Sequence, residues 1–173
     1  DIATIQKAGV EIKTGLRIES PDELLARGYS AVFVALGAHR GAKMGIDGEG
    51  SPGVVDALSF LAEVNRGRNP KVAEAVAVVG GGNSAVDAAR TCLRLGAKKV
   101  TILYRRTRAE MRAYPNEIEE AVREGVRLEL LAVPKRIVAA NGTLRVECLR
   151  AAAGRKDSAG LPVTVAGSGF DLE

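Results

Sequence analysis

The feature that most constrains this chain is a triple glycine, Gly80-Gly81-Gly82, set between two segments of different periodicity. Ala75 to Val79 before it is a short apolar run of strand length. Ser84 to Leu95 after it has helical spacing, and Gly96 stands where a helix ends in a left-handed turn. Val100 to Tyr104 is apolar again and reads as a second strand. Strand, glycine turn, helix and strand in this order make a βαβ unit, with parallel strands and a right-handed crossover.

Gly80-Gly81-Gly82-Asn83-Ser84-Ala85 fits G-x-G-x-x-A, and its flanks supply the context that gives this pattern meaning. Gly80 permits the tight turn, Gly82 lets the backbone approach a pyrophosphate, and Ala85 lets helix and sheet pack closely. Backbone N–H groups and the positive end of the helix dipole then hold phosphate oxygens. Gly80, Gly81, Gly82, Asn83 and Ser84 are therefore the candidate phosphate contacts. Asn83 and Ser84 can each also cap the helix, and Asp87 is read as structural.

The end of the second strand decides which dinucleotide is favoured. A site for the unphosphorylated ribose places Asp or Glu about 20 residues after the glycines. Here the strand ends in Tyr104-Arg105-Arg106, with no acid until Glu110. Guanidinium groups bind a 2′-phosphate through forked, charge-assisted hydrogen bonds, whereas a carboxylate repels it. The expected ligand is NADPH, with Arg105 and Arg106 on its 2′-phosphate and Arg112 next, from a loop that can fold back before Pro115. Arg108 is expected to be solvated. Charge arithmetic agrees: Lys98 to Arg112 holds six basic residues against Glu110, a net of +5, and the whole chain is +4. A nucleic-acid module would spread its charge more broadly and carry stacking aromatics, yet aromatics are 3% of the 173 residues. No apolar run approaches the roughly 18 residues of a membrane span, and no secretory leader is evident. A cytoplasmic location is expected, with no nucleic-acid or membrane partner.

The remaining segments read as follows. Residues 1–8 end a helix at Gly9, and Val10 to Ile18 alternates like a strand. Ser20 caps a short helix with Pro21 in its first turn, and Ala31 to Gly37 is a strand buried on both faces. Val55 to Val64 is an amphipathic helix, and Pro115 starts another that Gly125 closes. Val126 to Ala132 is strand-like, and Asn141-Gly142 joins a hairpin of Ile137–Ala140 and Leu144–Leu149. Gly154 to Gly160 is a mobile loop. Cys92 and Cys148 form no CxxC pair and are buried hydrophobes; the lone histidine, His39, is a surface residue. No metal site and no catalytic side chain are expected.

Val78 to Arg90, Gly96-Ala97, Val100-Thr101-Ile102 and Tyr104 to Met111 together resemble the small (beta) subunit of NADPH-dependent glutamate synthase. They are also similar to the matching modules of dihydropyrimidine dehydrogenase and of NADH-dependent ferredoxin:NADP oxidoreductase. Gly45 to Gly50 resembles the connector these proteins carry after a flavin segment. The resemblance implies an NADPH domain inserted into an FAD domain, with hydride passing from nicotinamide to flavin. It implies that Gly81, Gly82, Asn83 and Ser84 match the pyrophosphate loop, Arg105 and Arg106 the 2′-phosphate clamp, and Arg112 a contact present in some members. It also implies that Ala31 to Ala38 is the crossing segment between domains, with Ala35 and Gly37 at the cofactor.

The FAD glycine fingerprint and the cysteine-rich iron–sulfur segments of that family are absent from these 173 residues, and the chain begins with Asp1. The expectation is thus an α/β fragment. Residues 1–37 are a partial FAD-domain segment, and residues 38–173 a Rossmann-like, three-layer NADPH domain with a parallel sheet plus a β-hairpin or meander. It would bind NADPH without holding FAD and be inactive alone. Its partners would be the rest of its FAD domain and an electron-accepting subunit, a glutamate synthase large subunit or an iron–sulfur protein. The alternative is a non-catalytic module that senses NADP(H) or an adenine nucleotide. No Tyr-x-x-x-Lys pair supports a stand-alone short-chain reductase.

Overall fold

The computed structural model describes residues 2–37, 39–140 and 142–172. The chain divides into two compact units, residues 1–38 and 39–173.

In the first unit, helix α1 (Ile2–Lys7) gives way to Gly9 at φ +89°. Helix α2 (Pro21–Ala26) starts as its residues dictate: the Ser20 hydroxyl accepts the Asp22 N–H, and Pro21 fills the first turn. The two expected strands do not form. Val10 to Ile18 and Ala31 to Gly37 pair with nothing in a sheet, and Phe33 is 92% exposed. An apolar run becomes a strand only when another strand takes its N–H and C=O groups, and the described residues of this unit supply none.

The second unit has three layers. Helices α3 (Ala57–Asn65), α4 (Asn83–Arg94) and α5 (Pro115–Arg123) form the first. The middle layer is a parallel sheet of β1 (Ala75–Val79), β2 (Lys99–Tyr104) and β3 (Arg127–Leu130), with β2 central. The third is antiparallel and contains β4 (Ala132–Ala140), β5 (Thr143–Lys156), β6 (Pro162–Thr164) and β7 (Phe170–Leu172). Strand β2 alternates between two cores. Val100 and Ile102 face the helical side with Val86, Ala89, Ile118 and Ala121, whereas Leu103 packs with Ala132, Ile137, Val146 and Cys148 on the other.

The small residues of α4 let it lie close to the sheet; Ala85, Ala88 and Ala89 are all buried. Across the helical layer, Arg90 of α4 pairs with Glu117 and Glu124 at the two ends of α5. Glu124 sits at the C-cap of α5, and the bond from Arg90 lowers its carboxyl below the usual range.

Several boundaries differ from expectation for identifiable reasons. Helix α3 begins at Ala57 because the Asp56 carboxylate accepts the Ser59 N–H at 2.9 Å, which leaves Val55 outside and exposed. The run from Val126 to Ala132 is two strands, since Leu131 adopts φ +54° and turns the chain from the parallel sheet into the antiparallel one. The segment from Gly154 to Gly160 is not a loop throughout. β5 continues to Lys156, pairs with β6, and turns at Asp157–Gly160, whose bend the Asp157 carboxylate holds through the N–H groups of Ala159 and Leu161. The expected hairpin of β4 and β5 forms, with Ala140 opposite Thr143 and Gly142 at φ +78°; Asn141 lies outside the described residues. Both cysteines are buried, and burial pushes the Cys148 thiol up to about 11. His39 is exposed.

Candidate nucleotide-binding site

The glycine turn sits at the carboxyl end of β1, where the strand passes into α4. Gly80 holds φ +146°, a conformation L side chains avoid, and a Cβ there would come 3.1 Å from Ala85 Cβ. Its N–H donates to the Leu103 carbonyl at 3.0 Å, which ties the turn to β2. Gly81 is required by a neighbour: an added Cβ would lie 2.4 Å from Cε2 of Tyr104. Gly82 is the N-cap residue of α4 and faces open space, so a Cβ added there would meet no atom within 4 Å.

Neither Asn83 nor Ser84 caps α4, which has no side-chain cap at all. Both belong to the first helical turn, so their side chains lie past the cap position. Asn83 works differently: its Oδ1 accepts the N–H of Tyr114 at 2.9 Å. The Gly81 carbonyl accepts the N–H groups of Arg112 (2.8 Å) and Ala113 (3.0 Å). Three backbone donors in a row thus fasten the segment before α5 over the glycine turn, and the exposed Arg112 stands beside it.

A second brace fixes the end of β2. The Tyr104 hydroxyl donates to the Glu110 carbonyl at 2.7 Å. The Glu110 carboxylate accepts both the N–H (3.1 Å) and the hydroxyl (2.9 Å) of Thr107, closing a capping box around the 3-10 turn Arg108–Glu110. Those bonds from Thr107, and then Lys156 and Arg106, hold the Glu110 carboxyl below its ordinary range. The acid nearest the arginines is therefore committed to the protein's own backbone.

Arg105 is exposed and pairs with no carboxylate among the described residues. Arg106 is half-buried; its Nε is enclosed and has no hydrogen-bond partner, and its Nη2 lies 3.5 Å from the Gly160 carbonyl. The backbone continues the connection, because the Leu131 N–H donates to the Arg106 carbonyl and the Ala151 N–H to the Leu131 carbonyl. β5 is thereby brought to the end of β2, and Arg155 and Lys156 share a shallow recess with Arg105, Arg106 and Glu110. Sequence reasoning missed this pair; its signal is a second basic doublet inside a glycine-rich stretch.

Gly80 to Ser84 and Arg112 thus meet around one turn, with Arg105 and Arg106 following Tyr104, whose ring covers Gly81. Ala35 and Gly37 belong to the other unit; both are exposed, and Gly37 has φ +69°. Among the described residues no group of His, Cys, Asp and Glu could hold a metal, and no helix is long and apolar enough to cross a membrane.

A parallel sheet with a glycine turn at its carboxyl end and helices on one face is a Rossmann-like NAD(P)-binding fold. The chain belongs to the pyridine nucleotide-disulphide oxidoreductase family, whose profile matches residues 3–170. It is 40% identical over 99% of its length to the NADP(+)-dependent formate dehydrogenase subunit beta of Moorella thermoacetica, of which it spans 26%. It is 33% identical over 96% of its length to the glutamate synthase [NADPH] small chain of Halomonas elongata, of which it spans 38%. The resemblance to glutamate synthase small subunits therefore holds. A solved structure, Mycobacterium tuberculosis FprA in complex with NADPH, shares the fold at TM-score 0.67 and 20% identity, over 88% of this chain and 50% of that one.

Proposed function

We propose that residues 38–173 are the NADPH-binding domain of a flavin-dependent oxidoreductase, and that residues 1–37 are a strip of its FAD domain. The observation that carries this is an uncapped, open helix start at Gly82, next to the Gly81 that the Tyr104 ring covers, with Arg105 and Arg106 following Tyr104 and pairing with no carboxylate among the described residues. The pyrophosphate would lie on the N–H groups of Gly82, Asn83 and Ser84, where the helix dipole favours negative charge. The 2′-phosphate would take the guanidinium groups of Arg105 and Arg106. Arg112, tied by its backbone to Gly81, would close over the adenosine side.

In the full-length protein this domain would hold NADPH, which would supply hydride to a flavin held elsewhere, and a partner subunit or domain would take the electrons onward. The relatives' names differ, an NADP(+)-dependent formate dehydrogenase in one case and a glutamate synthase [NADPH] in the other, so the reaction partner and the direction of electron flow would be set by parts outside this site. The contribution of this chain is to bind NADPH, orient it, and select it against NADH. Calorimetric titration with the two cofactors tests this. NADPH should bind at least about tenfold more tightly, the worth of one charge-assisted contact, and equal affinities would overturn the reading.

A further inference from the structure

We propose that Arg155 and Lys156, carried on the far end of β5, complete the 2′-phosphate site as a second cationic pair facing Arg105 and Arg106. This rests on the NADPH reading and adds selectivity residues to it.

Four cations and one carboxylate line a single recess at the end of β2. Arg105, Arg155 and Lys156 are exposed and Arg106 is half-buried, so the cluster makes a local positive field that attracts an anion from solvent. The one carboxylate offsets a single charge and leaves a net of +3. Glu110 is occupied by the N–H and hydroxyl of Thr107, and its closest approach to Lys156 Nζ is 3.9 Å. Arg155 is exposed and pairs with no carboxylate among the described residues. Arg106 lines the same recess, and its Nη2 lies 3.5 Å from the Gly160 carbonyl.

The fold also spends structure on bringing the hairpin there. Leu131 holds its left-handed conformation while bridging Arg106 and Ala151 through the backbone, and the turn after Lys156 offers the Gly160 carbonyl to Arg106. A side chain with a Cβ disfavours that conformation, so the link is maintained against a local preference. A dianionic phosphomonoester matches the cluster: it has three acceptor oxygens and enough charge to engage donors from both sides. A pyrophosphate diester carries less charge per phosphorus and is served by the glycine turn.

The test uses the full-length protein and two probes: 2′,5′-ADP, which carries the 2′-phosphate, and 5′-AMP, which lacks it. Replacing both residues (Arg155→Gln, Lys156→Gln) should weaken 2′,5′-ADP about tenfold, the size of a lost charge-assisted hydrogen bond, and leave 5′-AMP within about twofold. Arg155→Lys with Lys156→Arg should retain most of the 2′,5′-ADP affinity. The single Arg155→Gln variant, at an exposed position, serves if the double variant does not fold, and should still lose affinity for 2′,5′-ADP alone. Unchanged 2′,5′-ADP binding in a folded Gln variant overturns the hairpin's role while leaving the NADPH reading intact. Equal binding of both probes by the unmodified protein overturns the NADPH reading itself and with it this one.

Discussion

The ring of Tyr104 lies so close over Gly81 that a methyl group on Gly81 would sit 2.4 Å from Cε2. The ring cannot swing away freely, because its hydroxyl donates to the Glu110 carbonyl at 2.7 Å. One glycine of the turn is thus needed for packing, and its neighbour Gly82 has open space around it.

Gly81→Ala and Gly82→Ala should consequently separate stability from binding. Gly81→Ala should cost about 1–3 kcal/mol, the usual range for overpacking, and lower the urea midpoint. Gly82→Ala, at φ −100° with no neighbour to meet, should change stability by less than about 1 kcal/mol. It should weaken NADPH, because its methyl group would occupy the phosphate's approach. Equal destabilisation by the two would contradict this division.

Arg105→Ala with Arg106→Ala should remove most of the preference for NADPH over NADH. A hydrogen bond to a charged group is worth about 1.5–3 kcal/mol, so the pair should cost NADPH affinity about 100-fold or more while NADH binding stays near its starting value. Titration of both cofactors at one fixed ionic strength reads the change directly, since screening alters such contacts.

Glu110 should make stability acid-sensitive. Its carboxyl is held below the ordinary range first by the Thr107 N–H, then by the Thr107 hydroxyl, Lys156 and Arg106. A lowered carboxyl stabilises the fold above the unfolded value of about 4.3, and that contribution is lost as pH falls through the folded value. Denaturation curves taken from neutral pH into the acid range should therefore converge for Glu110→Gln and the unmodified protein, with the unmodified protein the more stable at neutral pH.

Cys148 should be inert as a thiol at neutral pH. Burial pushes it up to about 11, and burial also raises Cys92, so neither is a thiolate under neutral conditions. A thiol reagent should label both only after denaturation. Between an unfolded value of about 8.5 and the folded value, the unfolded chain releases a proton that the folded one keeps, so stability should decline as pH rises through that window. Cys148→Ser should not show this decline from that position.

The two halves of the candidate site are unequally legible in the sequence. The turn from β1 to α4 and the arginines after β2 are local: periodicity identifies the strands, and three consecutive glycines identify the turn. A side chain next to a helix start, such as Asn83, has two uses, and only the returning segment at Tyr114 decides between them. Arg155 and Lys156 are invisible as site residues because they lie far along the chain from Arg105 and Arg106, in a stretch rich in glycine. The left-handed turn at Leu131, a residue type that rarely adopts one, leaves no sequence signal.

By itself the sequence determined the βαβ unit with its glycine turn, and the cationic end of β2. Periodicity and backbone freedom act within a few residues and need no distant partner. The tertiary structure alone decided that the third layer is an antiparallel sheet, and that β5 carries its basic end to Arg106. It also decided that the apolar run Ala31–Gly37 is not a strand. Strand pairing and charge clustering depend on which groups meet across the fold, and an apolar run becomes a strand only where a neighbouring strand pairs with it.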